Sequence, residues 1–208
     1  IFNAAYRENG QRNHIEKGLV HAKEDDIILI SDVDEIPNLQ SINLAKVNNQ
    51  IIIFEQHIFY YKFNRYLPNF IWHGTKACKK KKLISPQWLR NIKAKKYPFW
   101  RFDIYFSKKK YVNISFINDG GWHFSYLNLP EEVENKLKNY AHYREFELNS
   151  LNLEKIKKRM LNKTSIYNLA IDMKKSKFSS GQKLERISTA TLPKYLIENK
   201  GKYADWLE

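Results

Sequence analysis

The sequence predicts an α/β fold, and three features of the chain lead to that prediction. Residues 27–30 are four consecutive large apolar residues bounded by polar ones, as in a buried strand. A segment with helical spacing precedes this run, and further apolar and aromatic segments follow it. The last third of the chain, from about residue 130, is helical in character. Strands and helices that alternate in this way are typical of an α/β domain.

Composition narrows the class of protein further. The chain has 208 residues, of which 43% are hydrophobic and 14% aromatic, which excludes a disordered or collagen-like chain. Its one cysteine, Cys78, excludes an internal disulfide framework and a cysteine-based zinc site. No apolar run approaches the ~20 residues that span a bilayer. The formal net charge of +14 favours a polyanionic partner: nucleic acid, anionic lipid or a phosphorylated substrate.

The front of the chain predicts a helix, a strand and a second helix, in that order. Apolar positions recur at near-helical spacing over residues 6–22, which predicts an amphipathic helix. The strand over 27–30 has the unbroken apolar run of a parallel sheet, and it ends in the segment 31–37, where Pro37 stops it. A short helix is predicted over about 39–47.

The middle of the chain predicts four strands separated by one long loop. Residues 51–54 are apolar throughout and residues 56–63 are rich in Tyr and Phe, so both segments predict strands. Residues 64–96 contain prolines, glycine and a run of four lysines, and they predict a long loop. Two further strands are predicted over 100–106 and 111–117.

The rest of the chain predicts a turn and then helices. The Asp-Gly-Gly sequence at 119–121 is a turn signal. Pro130 fits a first helical position and two glutamates follow it, which predicts a helix over 130–142. Two more helices are predicted over 151–161 and 191–199. Because no internal repeat or low-complexity linker interrupts the chain, we expect a single domain.

Three acidic residues, Asp32, Asp34 and Glu35, stand directly after the first strand. In open α/β sheets, ligands bind outside the carboxyl ends of the strands. Two carboxylates at i and i+2 in a loop can face one divalent cation, and Mg²⁺ and Mn²⁺ take oxygen ligands from carboxylates, phosphates and water. A solvated acidic turn is the alternative, but the buried strand before the cluster and Pro37 after it favour a cation site.

Five stretches of the chain resemble glycosyltransferase family 17, the family of the enzyme that adds the bisecting N-acetylglucosamine to N-glycans. Residues 30–37 (Ile-Ser-Asp-Val-Asp-Glu-Ile-Pro) resemble its D-x-D region. Residues 121–126 (Gly-Trp-His-Phe-Ser-Tyr) match its G-W-H-x-S-[WY] signature, the most specific of the five. Residues 7–19, 134–142 and 193–199 resemble three further family segments, and all five occur in the family's order.

The resemblance implies a GT-A-type fold, a Rossmann-like sandwich that binds a nucleotide sugar, with a helical C-terminal portion over about 130–208. It also implies an inverting, metal-dependent transferase that moves N-acetylglucosamine from UDP-GlcNAc to a glycan acceptor. The chain begins at Ile1 and lacks a counterpart of the family's N-terminal portion. We therefore expect residues 1–208 to be one catalytic domain without its first strand or strands, and any N-terminal anchor would also be missing.

By this resemblance, Asp32 and Asp34 form the D-x-D that holds Mn²⁺ or Mg²⁺, with Asp34 in direct contact. His123 is a further candidate ligand, although a packed histidine also fits its position. The cation would stabilise the charge that grows on the leaving UDP. Glu35 is expected to support the loop or to reach the ribose.

The resemblance also implies residues that bind the donor. Arg12 and Asn13 precede the buried strand by one helix, and arginine pairs with phosphate through a bidentate fork. Arg7 is a weaker candidate, and a solvated helix face is the alternative for both arginines. Gly121 would let the backbone approach the donor closely, and Trp122 would stack on a sugar ring or fill the core.

Inverting transfer needs a general base within hydrogen-bond reach of the acceptor hydroxyl. Asp119, beside the Gly-Trp-His signature, is the first candidate, although an ordinary turn residue fits there equally well. Glu55 on the second predicted strand group and Glu145 beyond the predicted helix are the other candidates.

The lysine runs at 79–82, 93–96 and 108–110 predict solvated loops, and contact with an anionic membrane is the minority interpretation. The expected location is cytoplasmic or membrane-peripheral.

A D-x-D phosphatase would use Asp32 as nucleophile, but Ile36 replaces the Thr or Val of that motif. A basic nucleic-acid-binding protein is a further alternative, but the sequence contains no recognisable motif for it, so no nucleic acid is expected.

Overall fold

The computed structural model describes residues 2–40, 42–139, 151–169, 178 and 180–208. The strands are β1 (Ile27–Ile30), β2 (Glu35–Pro37), β3 (Ile51–Tyr60), β4 (Arg65–Lys79), β5 (Ile114–Ile117), β6 (Gly121–Ser125) and β7 (Glu185–Arg186). The α-helices are α1 (Phe2–His14), α2 (Pro86–Asn91), α3 (Pro130–Lys138), α4 (Leu153–Leu161) and α5 (Lys194–Glu198). Short 3₁₀ helices cover Ile15–Leu19, Leu44–Lys46, Lys80–Lys82, Phe102–Ile104, Thr189–Thr191 and Lys200–Trp206.

The strands pair in both parallel and antiparallel fashion, and helices accompany them, so the predicted α/β class is confirmed. Contacts divide the chain into two compact units. Unit I contains Phe2–Gln56 and Trp72–Gly121, and unit II contains His57–Ile71 and Trp122–Glu208. Strands β3 and β4 contribute residues to both units. The single catalytic domain stays a prediction.

Unit I is built on β1, the second half of β4, the first half of β3 and β5. Strand β1 pairs antiparallel with β4, and Ile30 lies opposite Lys76. Strand β5 runs parallel to β3, and Ile51 lies opposite Ile114. The predicted strand over 27–30 is thus present, but its expected parallel pairing is wrong. The main core of this unit consists of Ile28, Ile30, Ile51, Ile53, Cys78, Trp88, Leu89, Ile92 and Ile114.

The apolar run in β1 is explained by its two faces. Ile28 and Ile30 are buried in the main core of unit I. Ile27 and Leu29 are half-buried and pack against a second cluster, that of Ile52, Phe54 and Ala77. Because each face meets an apolar cluster, the strand needs large apolar residues at every position although its partner is antiparallel.

In unit II, the second half of β3 runs parallel to β6, and His57 lies opposite Trp122. The start of β4 pairs antiparallel with β7. Helices α3 and α4 pack on each other and bury Val133, Leu137 and Ile156. Helix α3 begins at Pro130 as predicted, and helices α4 and α5 confirm the two later helix predictions. Residues 140–142 of the predicted helix lie outside the described residues.

Several predictions for individual elements were wrong. Residues 64–96 form the 15-residue strand β4 and helix α2 instead of a long loop. Residues 100–106 contain a 3₁₀ helix instead of a strand, because their aromatic side chains face solvent and have no sheet to join. The helix over 39–47 reduces to a three-residue 3₁₀ turn, and β6 was not predicted.

Candidate functional site

The acidic segment after β1 folds into a closed turn in unit I. The Glu35 amide donates to the Asp32 carbonyl at 3.0 Å, and the Asp32 amide donates to Glu35 Oε2 at 3.0 Å. This reciprocal pair fixes the turn in the way that a capping box fixes a helix start. Val33, in the middle of the turn, is fully exposed, and Asp34 beside it is half-buried. The turn therefore presents Val33 towards solvent.

One guanidinium binds two of the three carboxylates. Arg90 donates to Asp32 Oδ2 at 2.7 Å and binds both oxygens of Glu35, at 2.8 and 3.0 Å. It also donates to the Gly74 carbonyl at 2.5 Å. Bidentate arginine–carboxylate pairs are among the stronger charge-assisted contacts. Because the Arg90 side chain is only 10% exposed, these bonds are shielded from solvent.

Sequence analysis missed Arg90 because it missed helix α2. The helix begins at Pro86, and the Ser85 hydroxyl accepts a hydrogen bond from the Trp88 amide at 3.1 Å. A serine followed by proline is a recognisable helix start. This signal was available in the sequence, but the surrounding prolines and lysines favoured a loop.

A buried lysine holds the end of helix α2 in place. Lys76 Nζ donates to the carbonyls of Arg90 and Ile92, each at 2.6 Å. Burial, together with the nearby charge of Arg90, lowers the pKa of Lys76 to about 8. A cation at the carbonyl end of a helix is favourable, so Lys76 helps to position the residue that binds the acidic turn.

Arg12 reaches the same turn from helix α1. Its guanidinium donates to both oxygens of Asp32, at 3.1 and 3.2 Å, and pairs with Glu8 at 2.8 Å. The structure thus places Arg12 beside the acidic turn. It also donates to the side-chain oxygen of Gln87 at 3.3 Å. Its role towards a diphosphate stays a prediction.

Asn13 and Arg7 are the two other donor-binding candidates on α1. Asn13 Oδ1 accepts a hydrogen bond from the Gln87 amide at 3.2 Å, which ties α1 to α2. Arg7 is exposed.

Glu35 is the buried member of the cluster, with a side chain that is 0% exposed. Trp72 Nε1 donates to its Oε1 at 2.8 Å. Burial alone would raise the pKa of Glu35, but the bonds and charge of Arg90, with the donors of Trp72 and Asp32, lower it overall. Because both carboxylate oxygens accept bonds from the protein, Glu35 holds the turn and is poorly placed to bind a metal.

Gly120 and Gly121 lie close to the end of the acidic segment. The Asn38 amide donates to the Gly120 carbonyl at 2.9 Å. Gly121 has φ +133°, and a Cβ there would collide with the Ile36 carbonyl and lie 2.8 Å from the Asn38 nitrogen. The glycine thus permits a close approach of backbone to backbone. Its predicted contact with the donor is a separate proposal.

Gly121→Ala should lower the free energy of unfolding by about 2–4 kcal/mol, because a side chain at this φ is strained and would meet the backbone. Gly10→Ala is the matched control, since nothing lies within 4 Å of a Cβ at this helical position. It should stabilise the protein by about 0.5–1 kcal/mol. Urea unfolding followed by tryptophan fluorescence measures both. An unchanged midpoint for Gly121→Ala would contradict the close approach.

The two described candidates for the general base both lie in unit I. Glu55 on β3 is half-buried, and its Oε1 lies 3.4 Å from Nε2 of His73 on β4. The His73 ring packs edge-on against Phe116 at 5.9 Å. Sequence analysis did not single out His73. Asp119 lies in the predicted turn with φ 48°, and Glu145 lies outside the described residues.

His123 and Trp122 lie on β6 in unit II. His123 is 7% exposed and lies opposite Ile58 of β3, a buried position that also suits a packed histidine. Trp122 Nε1 donates to the Thr191 carbonyl at 3.0 Å, and its ring packs against the core cluster that contains Phe59. Core packing therefore accounts for Trp122, while its contact with a sugar stays a prediction.

The ligands that the implied metal ion needs can be compared with the side chains that the described residues offer. Within the described residues, no group of three or more His, Cys, Asp or Glu side chains is placed to hold an ion. The oxygens of Glu35 are used by Arg90 and Trp72, and Asp32 is shared by two arginines. A cage of protein ligands therefore does not fit the described residues. Phosphate oxygens and water would have to supply most of the ligands of a cation at this turn.

Comparison with known protein families decides the class of protein. The family model of glycosyltransferase family 17 matches residues 2–207. The chain belongs to glycosyltransferase family 17. It is therefore a glycosyltransferase, and its family implies a nucleotide-sugar donor and a glycan acceptor. No curated protein and no solved structure matches the chain significantly.

The family match confirms the resemblance that the D-x-D and Gly-Trp-His segments carry, because both lie inside the matched residues. In this family 17 glycosyltransferase, the Asp-Val-Asp-Glu segment at 32–35 forms the closed turn, which Arg12 and Arg90 contact through Asp32. In the described part of the chain, no helix has the length and apolar character needed to span a bilayer.

Proposed function

We propose that this family 17 glycosyltransferase moves N-acetylglucosamine from UDP-GlcNAc to a glycan acceptor, with inversion and with the help of Mn²⁺ or Mg²⁺. The observation that carries the proposal is the closed acidic turn at the carboxyl end of β1, held by arginines from α1 and α2. A GT-A-type fold and a cytoplasmic location belong to the same proposal. The position of the turn supports it, because ligands of α/β sheets bind at strand ends.

The charges around the turn suit a diphosphate that arrives with a cation. Arg90 is occupied by Glu35 and Asp32, so its main role is to position the turn. Asp34 would hold the ion, whose chemistry when bound is to neutralise the diphosphate and the charge on the leaving UDP. Without a cation, the carboxylates would repel the donor.

Arg12 is the residue best placed to bind the donor directly. Its side chain is 20% exposed, twice the exposure of Arg90. It can exchange its bond to Asp32 for one to a donor phosphate, because Asp32 would keep its 2.7 Å bond to Arg90. The bidentate fork of arginine then suits the phosphate oxygens.

The acceptor hydroxyl needs a base, and the proposal keeps Asp119 and Glu55 for this role. Glu55 has one supporting feature, since His73 lies within 3.4 Å and would orient its carboxylate. The proposed donor contacts of Asn13, Arg7, Gly121 and Trp122 and the metal contact of His123 rest on the family resemblance.

Release of UDP from UDP-GlcNAc tests the proposed function. Because the acceptor is unidentified, hydrolysis of the donor by water is the reaction to follow, with Mn²⁺ and with EDTA. We expect UDP release that depends on Mn²⁺ and no phosphate release from p-nitrophenyl phosphate. Phosphate release that is lost in Asp32→Asn would instead support a phosphatase and contradict the proposal.

A further inference from the structure

Residues 93–110 of unit I, named here the aromatic–basic segment, expose a dense group of large aromatic side chains. Five aromatic residues within eight positions are 65–91% exposed. They are Phe99, Trp100, Phe102, Tyr105 and Phe106. Single exposed apolar residues are normal on a protein surface, whereas a contiguous apolar patch marks an interaction site.

The same segment is strongly basic. It carries seven basic side chains and a single acidic one, Asp103. Asp103 is already paired with Arg101 at 2.9 Å and with Lys110 at 2.5 Å. The two lysine runs lie side by side, since the Lys93 amide donates to the Lys109 carbonyl at 2.8 Å. Lysines therefore flank the exposed aromatic group, and the segment attracts an anionic partner.

The segment is fixed to unit I by a few buried groups. Tyr97 is 8% exposed and Ile104 is 4% exposed, so both are buried within the segment. Trp88 of helix α2 donates from Nε1 to the Lys108 carbonyl at 2.8 Å. Because these residues hold the backbone in place, the neighbouring aromatic rings are presented on the surface.

We propose that the aromatic–basic segment docks this enzyme on an anionic lipid bilayer, with its aromatic rings at the interface and its lysines at the headgroups. Aromatic rings concentrate at membrane–water interfaces, and each Lys or Arg near an anionic leaflet adds attraction. Stable peripheral binding takes two signals of this kind, an apolar anchor and a basic patch.

A single-stranded nucleic acid is the competing anionic partner, and the ring geometry argues against it. Nucleic-acid sites of this type offer flat aromatic faces on which successive bases stack. Phe99 and Trp100 lie at 81° to each other with centroids 5.2 Å apart, so they do not form a parallel platform. Phenyl rings that are 79% and 91% exposed, at Phe102 and Phe106, suit insertion among lipid chains better.

Vesicle co-sedimentation tests the docking. The protein is mixed with phosphatidylcholine vesicles, with or without phosphatidylglycerol, and we expect it to bind chiefly to the anionic ones. Phe102→Ser/Phe106→Ser should weaken this binding by about tenfold or more. Tyr6→Ser/Tyr195→Ser is the matched control, since these tyrosines are 81% and 56% exposed outside the segment. It should bind like the wild type.

The charge contribution is measured with a second pair of variants. Lys108→Gln/Lys109→Gln should weaken binding to anionic vesicles by about 10–30-fold. Lys200→Gln/Lys202→Gln removes the same charge elsewhere on the surface and should have little effect. The wild-type tryptophan emission should shift to the blue on anionic vesicles, and Trp100→Phe should lose most of that shift.

Three results would overturn the proposal. The first is equal binding of the protein to neutral and to anionic vesicles. The second is binding of Phe102→Ser/Phe106→Ser to anionic vesicles as tightly as the wild type. The third is tight binding of single-stranded RNA that anionic vesicles fail to displace. Urea midpoints close to that of the wild type would show that the variants are folded, as expected for exposed side chains. Because the segment and the acidic turn share no residue, vesicle binding and donor binding can fail independently.

Discussion

Arg90→Met should lower the free energy of unfolding by about 3–5 kcal/mol, the cost of removing one partner from a buried ion pair. The Glu35 side chain is 0% exposed, and it would keep its charge in the interior without the guanidinium that binds both its oxygens. Asp32 and the Gly74 carbonyl would each lose a donor as well. Urea unfolding at neutral pH measures the loss.

Two further variants show whether the loss of stability comes from the buried charge of Glu35 that Arg90→Met leaves unpaired. Arg90→Met/Glu35→Gln removes the buried charge with its partner and should recover part of the lost stability. Arg101→Met is the matched control, because Arg101 forms an exposed pair with Asp103, and such pairs contribute little. Equal losses for Arg90→Met and Arg101→Met would contradict the role assigned to Arg90.

Asp34→Ala should reduce metal-dependent turnover of the donor by about 10²–10³-fold or more, because it removes the carboxylate proposed to hold the cation. The hydrogen bonds that close the turn are made by Asp32 and Glu35, so the fold should persist. Val33→Ala changes the exposed neighbour in the same turn and should leave turnover near that of the wild type. Turnover measured over a Mn²⁺ series compares the two variants.

An Asp34→Ala protein with the same turnover and the same Mn²⁺ dependence as the wild type would contradict the metal assignment. A loss shared equally by Val33→Ala would point to the conformation of the turn instead. Urea midpoints of both variants separate a loss of metal binding from a loss of folded protein.

The strand β1 and the acidic turn could be predicted from the sequence because both depend on neighbouring residues. An unbroken apolar run indicates a strand, and three acids after it indicate a ligand site. The direction of the β1 partner could not be predicted, because it depends on β4. Strand β4 was not predicted either, because a glycine such as Gly74 usually interrupts a strand. In the fold, the side chains of Gln56 and Glu35 fill the space beside Gly74.

The ion network of the site could be predicted only in part. Arg12 precedes Asp32 by 20 residues, and the resemblance to the family singled it out as a residue that reaches towards the donor diphosphate. Arg90 follows Asp32 by 58 residues on a six-residue helix, and no local pattern joins the two. Long-range pairing of this kind is set by tertiary packing, so the role of Arg90 emerged only from the structure.

The aromatic–basic segment shows why strand propensity misled the prediction for residues 100–106. Aromatic residues are frequent in strands because they pack well on a half-buried sheet surface. Phe102 and Phe106 instead face solvent, and only Ile104 between them is buried. These exposed aromatic residues therefore belong to the proposed membrane-docking surface and not to a strand.

Calorimetric titration of UDP-GlcNAc into the protein, with Mn²⁺ and with EDTA, tests the central claim most directly. The account predicts saturable binding with Mn²⁺ that is much weaker with EDTA and in Asp34→Ala, and unchanged in Val33→Ala. Binding of equal affinity with Mn²⁺ and with EDTA, or no binding under either condition, would contradict a metal-dependent donor site at the acidic turn.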